Sequence, residues 1–326
     1  MASKTLRFAT GLVAVAMSTS SFAREHAEDG HFAVGFGVPD FSYDIDRKPT
    51  DADQSVSTLD YAPNIPLTAD VEFAIGGVTL GASFDIPGTD NGYTDPTGKT
   101  STTYSSYEFS YFFDRIGLDL NYTTLRGMNL VSATGVDGNT LANDPTAHRS
   151  DITLINETAD LYLAPLAWNF SLRDFFDPAS QSHGCGLALV AVGSYDRLDE
   201  RADRRIVPTA YSAPYGIDAS LMGGNFQSVI MQFGPAFVLD FHGAYLEGLF
   251  TYGNGNETAV YRVEPNTQMS ESRTADRTTL YAAAGYRGTK MFWSFDYTES
   301  SPSYDMHTVT LSTTQDLMSF IVGVRF

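Results

Sequence analysis

The chain of 326 residues has one cysteine, Cys185. A single thiol forms no intramolecular disulfide. A small disulfide-stapled secreted fold is therefore excluded, and rigidity has to come from closed hydrogen bonding. Long hydrophobic runs are missing too. After residue 23 nothing approaches the ~20 consecutive apolar residues that a membrane helix needs, and mean hydropathy is −0.15. Basic residues are scarce, with 20 Lys and Arg against 39 Asp and Glu and a net charge of −19. That balance excludes a nucleic-acid partner, which requires a basic face. The serine-hydrolase pattern G-x-S-x-G and the metalloprotease pattern H-E-x-x-H are both absent.

Aromatic residues, by contrast, are plentiful: 18 Tyr and 22 Phe, enough for girdles at two membrane interfaces. Both ends of the chain are informative. Lys4 and Arg7 precede an apolar or small-residue run over 8–17, followed by Ser18-Thr19-Ser20-Ser21-Phe22-Ala23. This is the pattern of a secretory signal peptide, 1–23, with the mature protein beginning at Arg24. Its loss removes two positive charges and leaves the mature chain more acidic still. At the other end, Met318, Phe320, Val322, Val324 and Phe326 share one face of a strand. Ser319, Gly323 and Arg325 fall on the other face, with Ile321 the exception. A final alternating strand closed by Phe resembles the signal that the barrel-assembly machinery of the bacterial outer membrane reads.

Between the ends, strand pairs with tight turns alternate with long polar connections. Val71, Phe73 and Ile75 alternate with Glu72 and Ala74, Gly76-Gly77 turns, and Val78, Leu80, Ala82, Phe84 and Ile86 alternate with Thr79, Gly81, Ser83 and Asp85. Tyr107, Phe109, Tyr111 and Phe113 oppose Glu108 and Ser110. After Asp114-Arg115, Ile116, Leu118, Leu120 and Tyr122 oppose Gly117, Asp119, Asn121 and Thr123. Later pairs flank 240–243 and 288–290. The long connections fall near 44–66, 87–102, 126–151, 199–221, 254–276 and 299–314. The low hydropathy fits this plan, because outward apolar residues alternate with inward polar ones. Segment 168–186 reads either as one broad turn or as a turn with an extra short strand at 170–176. The first gives 12 strands and the second 14; we prefer 12.

The segments Tyr61-Ala62-Pro63-Asn64, Gly98-Lys99-Thr100, Asp119-Leu120-Asn121-Tyr122 with Arg126-Gly127, and Asn169-Phe170-Ser171 stand along the chain. Together they resemble an uncharacterised family of outer-membrane proteins, the domain of unknown function 4421 family, best known from Bacteroidetes. Where that family carries a Ser-Ala-Gly-Ser-like stretch, this chain has Ser182-His183-Gly184-Cys185-Gly186. The resemblance implies a fold and a location, and no activity.

Four motifs have a chemical reading and a plainer one. The segment 92–100 looks like a phosphate-binding loop, but it has five residues between its glycines instead of four, and a strand rather than a helix follows. Ser182-His183 suggests a lipid hydrolase, yet neighbours on a strand point to opposite faces; a polar turn is the better reading. Asp44, Asp46, Asp51 and Asp53 supply hard oxygens for divalent cations without the ordered spacing of a calcium loop. Segment 196–205, DRLDERADRR, alternates charges, with Glu200 and Arg204 at helical i,i+4 spacing, and is expected to be a short salt-bridged helix. No catalytic residue, metal ligand set or cofactor site emerges.

The predicted fold is thus all-β: a transmembrane antiparallel up-and-down β-barrel of about 12 strands, range 10 to 14, with short periplasmic turns and long extracellular loops. It occupies 24–326 and sits in the bacterial outer membrane. Parity places Glu72, Asp85, Glu108, Asp119, Asp296, Arg287 and Arg325 in the lumen, because a lipid-facing Lys or Arg at the midplane costs roughly 2–4 kcal/mol. Those charges either line a cation-tolerant pore or pair and plug the barrel. The expected role is a structural or surface-binding barrel. A small-solute channel is the alternative, and an outer-membrane lipid-modifying enzyme the second alternative. Expected partners are outer-membrane lipid and lipopolysaccharide, the assembly machinery, and divalent cations at the acidic loops.

Overall fold

A computed structural model describes residues 30–48, 57–65, 67–86, 102–134, 148–180, 184–263 and 267–326. The signal-peptide segment, Arg24, Asp51, Asp53, the loop 92–100 and Ser182-His183 lie outside the described residues. The strands are β1 (Gly30–Arg47), β2 (Thr58–Ala62), β3 (Thr68–Ile75), β4 (Val78–Asp85), β5 (Thr103–Phe112), β6 (Ile116–Thr134) and β7 (His148–Trp168). They continue as β8 (Cys185–Arg201), β9 (Leu221–Phe241), β10 (Ala244–Val263), β11 (Thr267–Arg287), β12 (Met291–Asp305) and β13 (Val309–Arg325). One short helix, α1 (Leu172–Phe176), lies between β7 and β8.

All 13 strands form one antiparallel sheet, closed by β1 against β13 from His31↔Arg325 to Arg47↔Val309. Closure leaves no hydrogen-bonding edge inside a bilayer. The ring changes size along its axis. Near the short turns β1 pairs with β3, and β3, β4 and β5 lead on to β6. Higher up β4 and β5 have ended, and β2 alone bridges β1 and β6. Twelve strands thus enclose the lower level and ten the upper one. Segment β2–β3 would be one continuous strand along β1 but for the break containing Pro63, which lacks the N–H a ladder needs.

Short turns join strands on one rim. Gly76 (φ 61°) and Gly77 (φ 83°) make the β3–β4 turn, and His242 (φ 58°) with Gly243 (φ 90°) makes the β9–β10 turn. Two successive positive φ values match the twist of the flanking strands. Segment 168–186 is the broad turn, and it carries α1 instead of an added strand.

Two expectations are corrected. Residues 196–201 are not helical; they continue β8, with Asp196, Leu198 and Glu200 inward and Arg197, Asp199 and Arg201 outward. Their charges pair across and along strands, Arg197 to Glu157 at 3.1 Å and Arg201 to Asp199 at 2.8 Å. Several expected loops are likewise strand. β10 and β11 pair without a break from Ala244↔Tyr286 to Val263↔Thr267, through most of 254–276.

The physical reason is an inversion of the wall. On β1, Phe32, Val34, Phe36 and Val38 are exposed on the outside, and from Asp40 upward that face is polar. Above the same point the inner face becomes apolar, with Phe41, Tyr43 and Ile45 buried. β13 does the same, with Met318 and Phe320 outside below Asp316, and Leu311 and Val309 inside above it. The lower wall meets lipid; the upper wall meets water and packs its apolar side inward.

Candidate functional site

The inner wall at lipid level is polar and tightly paired on the β7–β11 side. Arg277 donates to Asp160 at 2.9 and 3.1 Å, to Asp196 at 2.9 Å and to Ser300 at 3.0 Å. Gln232 donates to Ser194 at 2.9 Å and accepts from Thr251 and Thr279 at 3.1 and 3.2 Å. This network ties four adjacent strands. Nearer the short turns Arg287 meets Glu247 at 2.5 Å, both almost fully buried, and lies 3.8 Å over the Tyr245 ring. Each of these charges has an opposite partner.

Both rims are filled. At the short-turn rim Ser171 caps α1 by accepting from the Asp174 N–H. The helix turns Leu172 and Phe175 into the lumen, and Phe176 stacks on Phe112 with ring centres 4.4 Å apart. Basic inner residues tether this segment. Arg287 donates to the Asp174 carbonyl at 3.1 Å, Arg325 to the Ser180 carbonyl at 3.4 Å, and His31 lies 3.5 Å from Asp177.

At the opposite rim residues 202–220 fold inward, burying Ile206, Val207, Tyr211 and Tyr215 against Tyr43, Tyr61, Phe226 and Tyr304. Arg149, 1% exposed, holds them: it donates to the carbonyls of Arg204, Arg205 and Ile206 at 3.1, 2.6 and 2.9 Å. Tyr61 adds a bond to the Ile206 carbonyl at 2.6 Å. Asp151 clamps Arg149 with two bonds of 2.9 Å. Burial alone would raise the Asp151 carboxyl, but the Arg149 hydrogen bonds and charge overcome it and hold it at about 2. Glu200, on the inner face of β8, is pushed up to about 7 by burial, although Tyr43 and Arg149 pull the other way.

Between the plugs the β1–β5 side of the lumen is not filled. Its inward residues are small: Ala33, Thr79, Gly81, Ser83, Ser106 and Ser110. They leave a chamber of about 250 Å³ above Phe176. It adjoins a second space of about 200 Å³ through Tyr104, Ser106, Glu108 and Asn121. The charged residues lining the first are Asp70, Glu72, Glu108 and Asp296, with no Lys, Arg or His among them.

Of the seven charges singled out by parity, Glu72, Glu108 and Asp296 line the chamber. Glu72 meets His31 at 2.5 Å, and Asp85 accepts from the Tyr104 backbone N–H at 3.1 Å. Asp296 accepts from Ser294 at 2.5 Å. Arg287 and Arg325 tether the helix segment. Asp119 has an oxygen, Oδ1, with no hydrogen-bond partner. Glu108 is open to the chamber yet enclosed by the wall. Met318, Phe320, Val324 and Phe326 are exposed on the outer face, with Val322 between them. Ile321, the exception, turns inward onto Ala33 and Phe292.

Sequence reasoning missed Asp160, Asp196, Arg277, Glu247 and Arg149. Glu247 was legible, since it alternates with Leu246 and Gly248. Asp196 was hidden by the helix-like charge spacing. Arg149 was hidden, for its partners other than Asp151 are backbone carbonyls some 55 residues away. Asp44 and Asp60 sit opposite each other on β1 and β2. Burial first, then repulsion from Asp60 and Asp46, pushes Asp44 up to about 6. Among the described residues no group of three or more His, Cys, Asp or Glu is arranged to hold a metal ion.

No protein-family model matches this chain, and no curated protein does. Among solved structures, a TodX monoaromatic hydrocarbon channel mutant overlaps 92% of this chain and 91% of its own, at 10% identity and a TM-score of 0.30. The P. putida toluene transporter TodX overlaps 91% and 89% at 8% identity and a TM-score of 0.28. The CymD monoaromatic hydrocarbon channel overlaps 93% and 90% at 10% identity and a TM-score of 0.28. At such scores no substrate carries across, and the fold stands on the strand pairing given above.

Proposed function

We propose that the protein is an outer-membrane barrel that holds a small solute in a closed internal chamber and has no permanently open pore. One observation carries this reading. Described segments fold inward at both rims, yet the lumen between them keeps a chamber in which Glu108 has no hydrogen-bond partner among the described residues. That carboxylate faces the chamber, whereas Asp160 and Glu247 are paired with arginines. The apolar belt and the aromatic-rich final strand support insertion in the outer membrane, with the short turns periplasmic. The same strand supports recognition by the assembly machinery. The resemblance carried by Tyr61-Ala62-Pro63-Asn64 and Asp119-Leu120-Asn121-Tyr122 supports the location and adds no activity.

Planar-bilayer recording tests the closed state. The refolded protein is expected to show no steady conductance. Arg149→Ala releases three carbonyls of the outer plug and is expected to give intermittent openings. Steady conductance from the unaltered protein would overturn the reading. A second reading, a surface-binding barrel contacting lipopolysaccharide, is favoured by the tall polar wall above the belt, and lipopolysaccharide-coated beads would capture the barrel under it.

A further inference from the structure

We infer that the chamber is a binding site for a small organic cation, a primary ammonium carried on an aromatic or short aliphatic group. The inference rests on the closed-chamber reading and names its solute class.

The argument begins with one row of the inner wall. Pairing aligns Glu72 with Gly81, Gly81 with Glu108, and Glu108 with Asn121 across β3, β4, β5 and β6. All four positions face inward. Gly81 has no side chain, so the row has a notch flanked by two carboxylates. A Cβ there would stand 3.3 Å from the Glu108 Cβ and 3.5 Å from its Oε2. Glu72 has His31 as a partner, whereas Glu108 has no hydrogen-bond partner among the described residues.

Electrostatics then selects the ligand's sign. Glu108 is within electrostatic reach of Glu72, and Asp119 of Glu108. In a low-dielectric interior these charges repel; Arg277, near Asp119, is engaged by Asp160 and Asp196, and Arg287, near Asp296, by Glu247. A cation in the notch relieves that repulsion. An anion would add to it.

Shape and donor count narrow the class. An ammonium offers three donors on a compact head. Glu108 and Glu72 accept two, and Ser106 and Asn121 stand on the same wall. Phe112, Tyr162, Phe176 and Tyr281 line the rest of the chamber. Aromatic faces suit both the apolar body and the charge of such a ligand. About 250 Å³ is room for about eight waters at about 30 Å³ each, below the ~300 Å³ lower limit of drug-sized pockets. The solute is therefore small.

The test uses three probes of one shape: para-fluorobenzylammonium, para-fluorobenzyl alcohol and para-fluorobenzoate. Each is present while the full chain refolds in detergent, so that the closed rims do not exclude it. Retention after dialysis is read by fluorine NMR against folded barrel. The ammonium is expected to be retained near one per barrel and at least about tenfold better than the alcohol, the effect of a charge-assisted hydrogen bond. Benzoate should be lost. Glu108→Gln keeps the shape and should remove the preference. Gly81→Ala keeps both carboxylates, narrows the notch, and should weaken retention if the first variant fails to fold. Equal retention of alcohol or benzoate would leave the chamber standing and sink the cation. No retention of any probe would overturn the chamber reading, and the inference with it. Full ammonium retention by folded Glu108→Gln would overturn the site.

Discussion

At the residue scale the wall tolerates charge on one face only. Leu118 and Leu120 point to lipid and Asn121 to the lumen, where it donates to Ser106 at 3.2 Å. Leu118→Arg and Leu120→Arg should each cost roughly 2–4 kcal/mol of folding into lipid. Asn121→Arg should be milder, because it meets Glu108 and Asp119. Urea titration of refolding into vesicles measures all three, and equal damage would refute the facing. Arg277 is the opposite case. Removing it leaves Asp160 and Asp196 facing each other without a counter-charge, so Arg277→Met should destabilise by about 3–5 kcal/mol. The triple replacement with Asp160→Asn and Asp196→Asn should recover much of that loss. If it does not, the network contributes by packing and not by charge.

At the element scale the outer plug, residues 202–220, titrates in two opposite directions. Asp151 is held below its ordinary value, so its contribution is present above about pH 4 and is lost as pH falls through about 2. Glu200 is raised from 4.5 to about 7, so the plug is favoured while Glu200 is protonated and loosens as pH rises through about 7. Trypsin cleavage after Arg204 and Arg205 should therefore accelerate between about pH 5 and 7 by more in the unaltered protein than in Glu200→Gln. Equal acceleration in both would mean that Glu200 does not govern the plug. The other plug depends on α1, whose Phe175 packs on Tyr281 at 5.3 Å. Phe175→Ala with Phe176→Ala should empty that rim without moving the wall, because β7 and β8 are held by their own ladder. Combined with Arg149→Ala, these changes should give single-channel openings more frequent than those from Arg149→Ala alone.

At the scale of the whole molecule, the barrel is one ring with two solvents outside it. Twelve strands stand in lipid with apolar side chains out, and ten stand above it with polar side chains out. The apolar parity changes sides at that boundary on β1 and β13, and the pairing runs straight through it. Digestion from the outer face of intact cells should therefore spare 254–263 and 267–276, which are paired strand.

The sequence by itself determined the class of fold, the lipid-facing residues and the inward set of charges. Those follow from period-two alternation, a local property of each strand that shows in a few consecutive side chains. It also held a signal that is harder to see. Phe41, Tyr43 and Ile45 alternate as cleanly as Phe32, Val34 and Phe36, but on the opposite parity. With Asp and Ser between them they read as loop, because only the lipid-facing phase was expected. Tertiary structure alone decided the rest: the Arg149 latch, the Arg277 bridge and the chamber. Each joins residues far apart in the chain or on separate strands, and ring closure sets their distance. The notch at Gly81 exists only because β3 and β5 carry Glu72 and Glu108 to either side of it, and strand register is a property of the sheet that no single strand encodes.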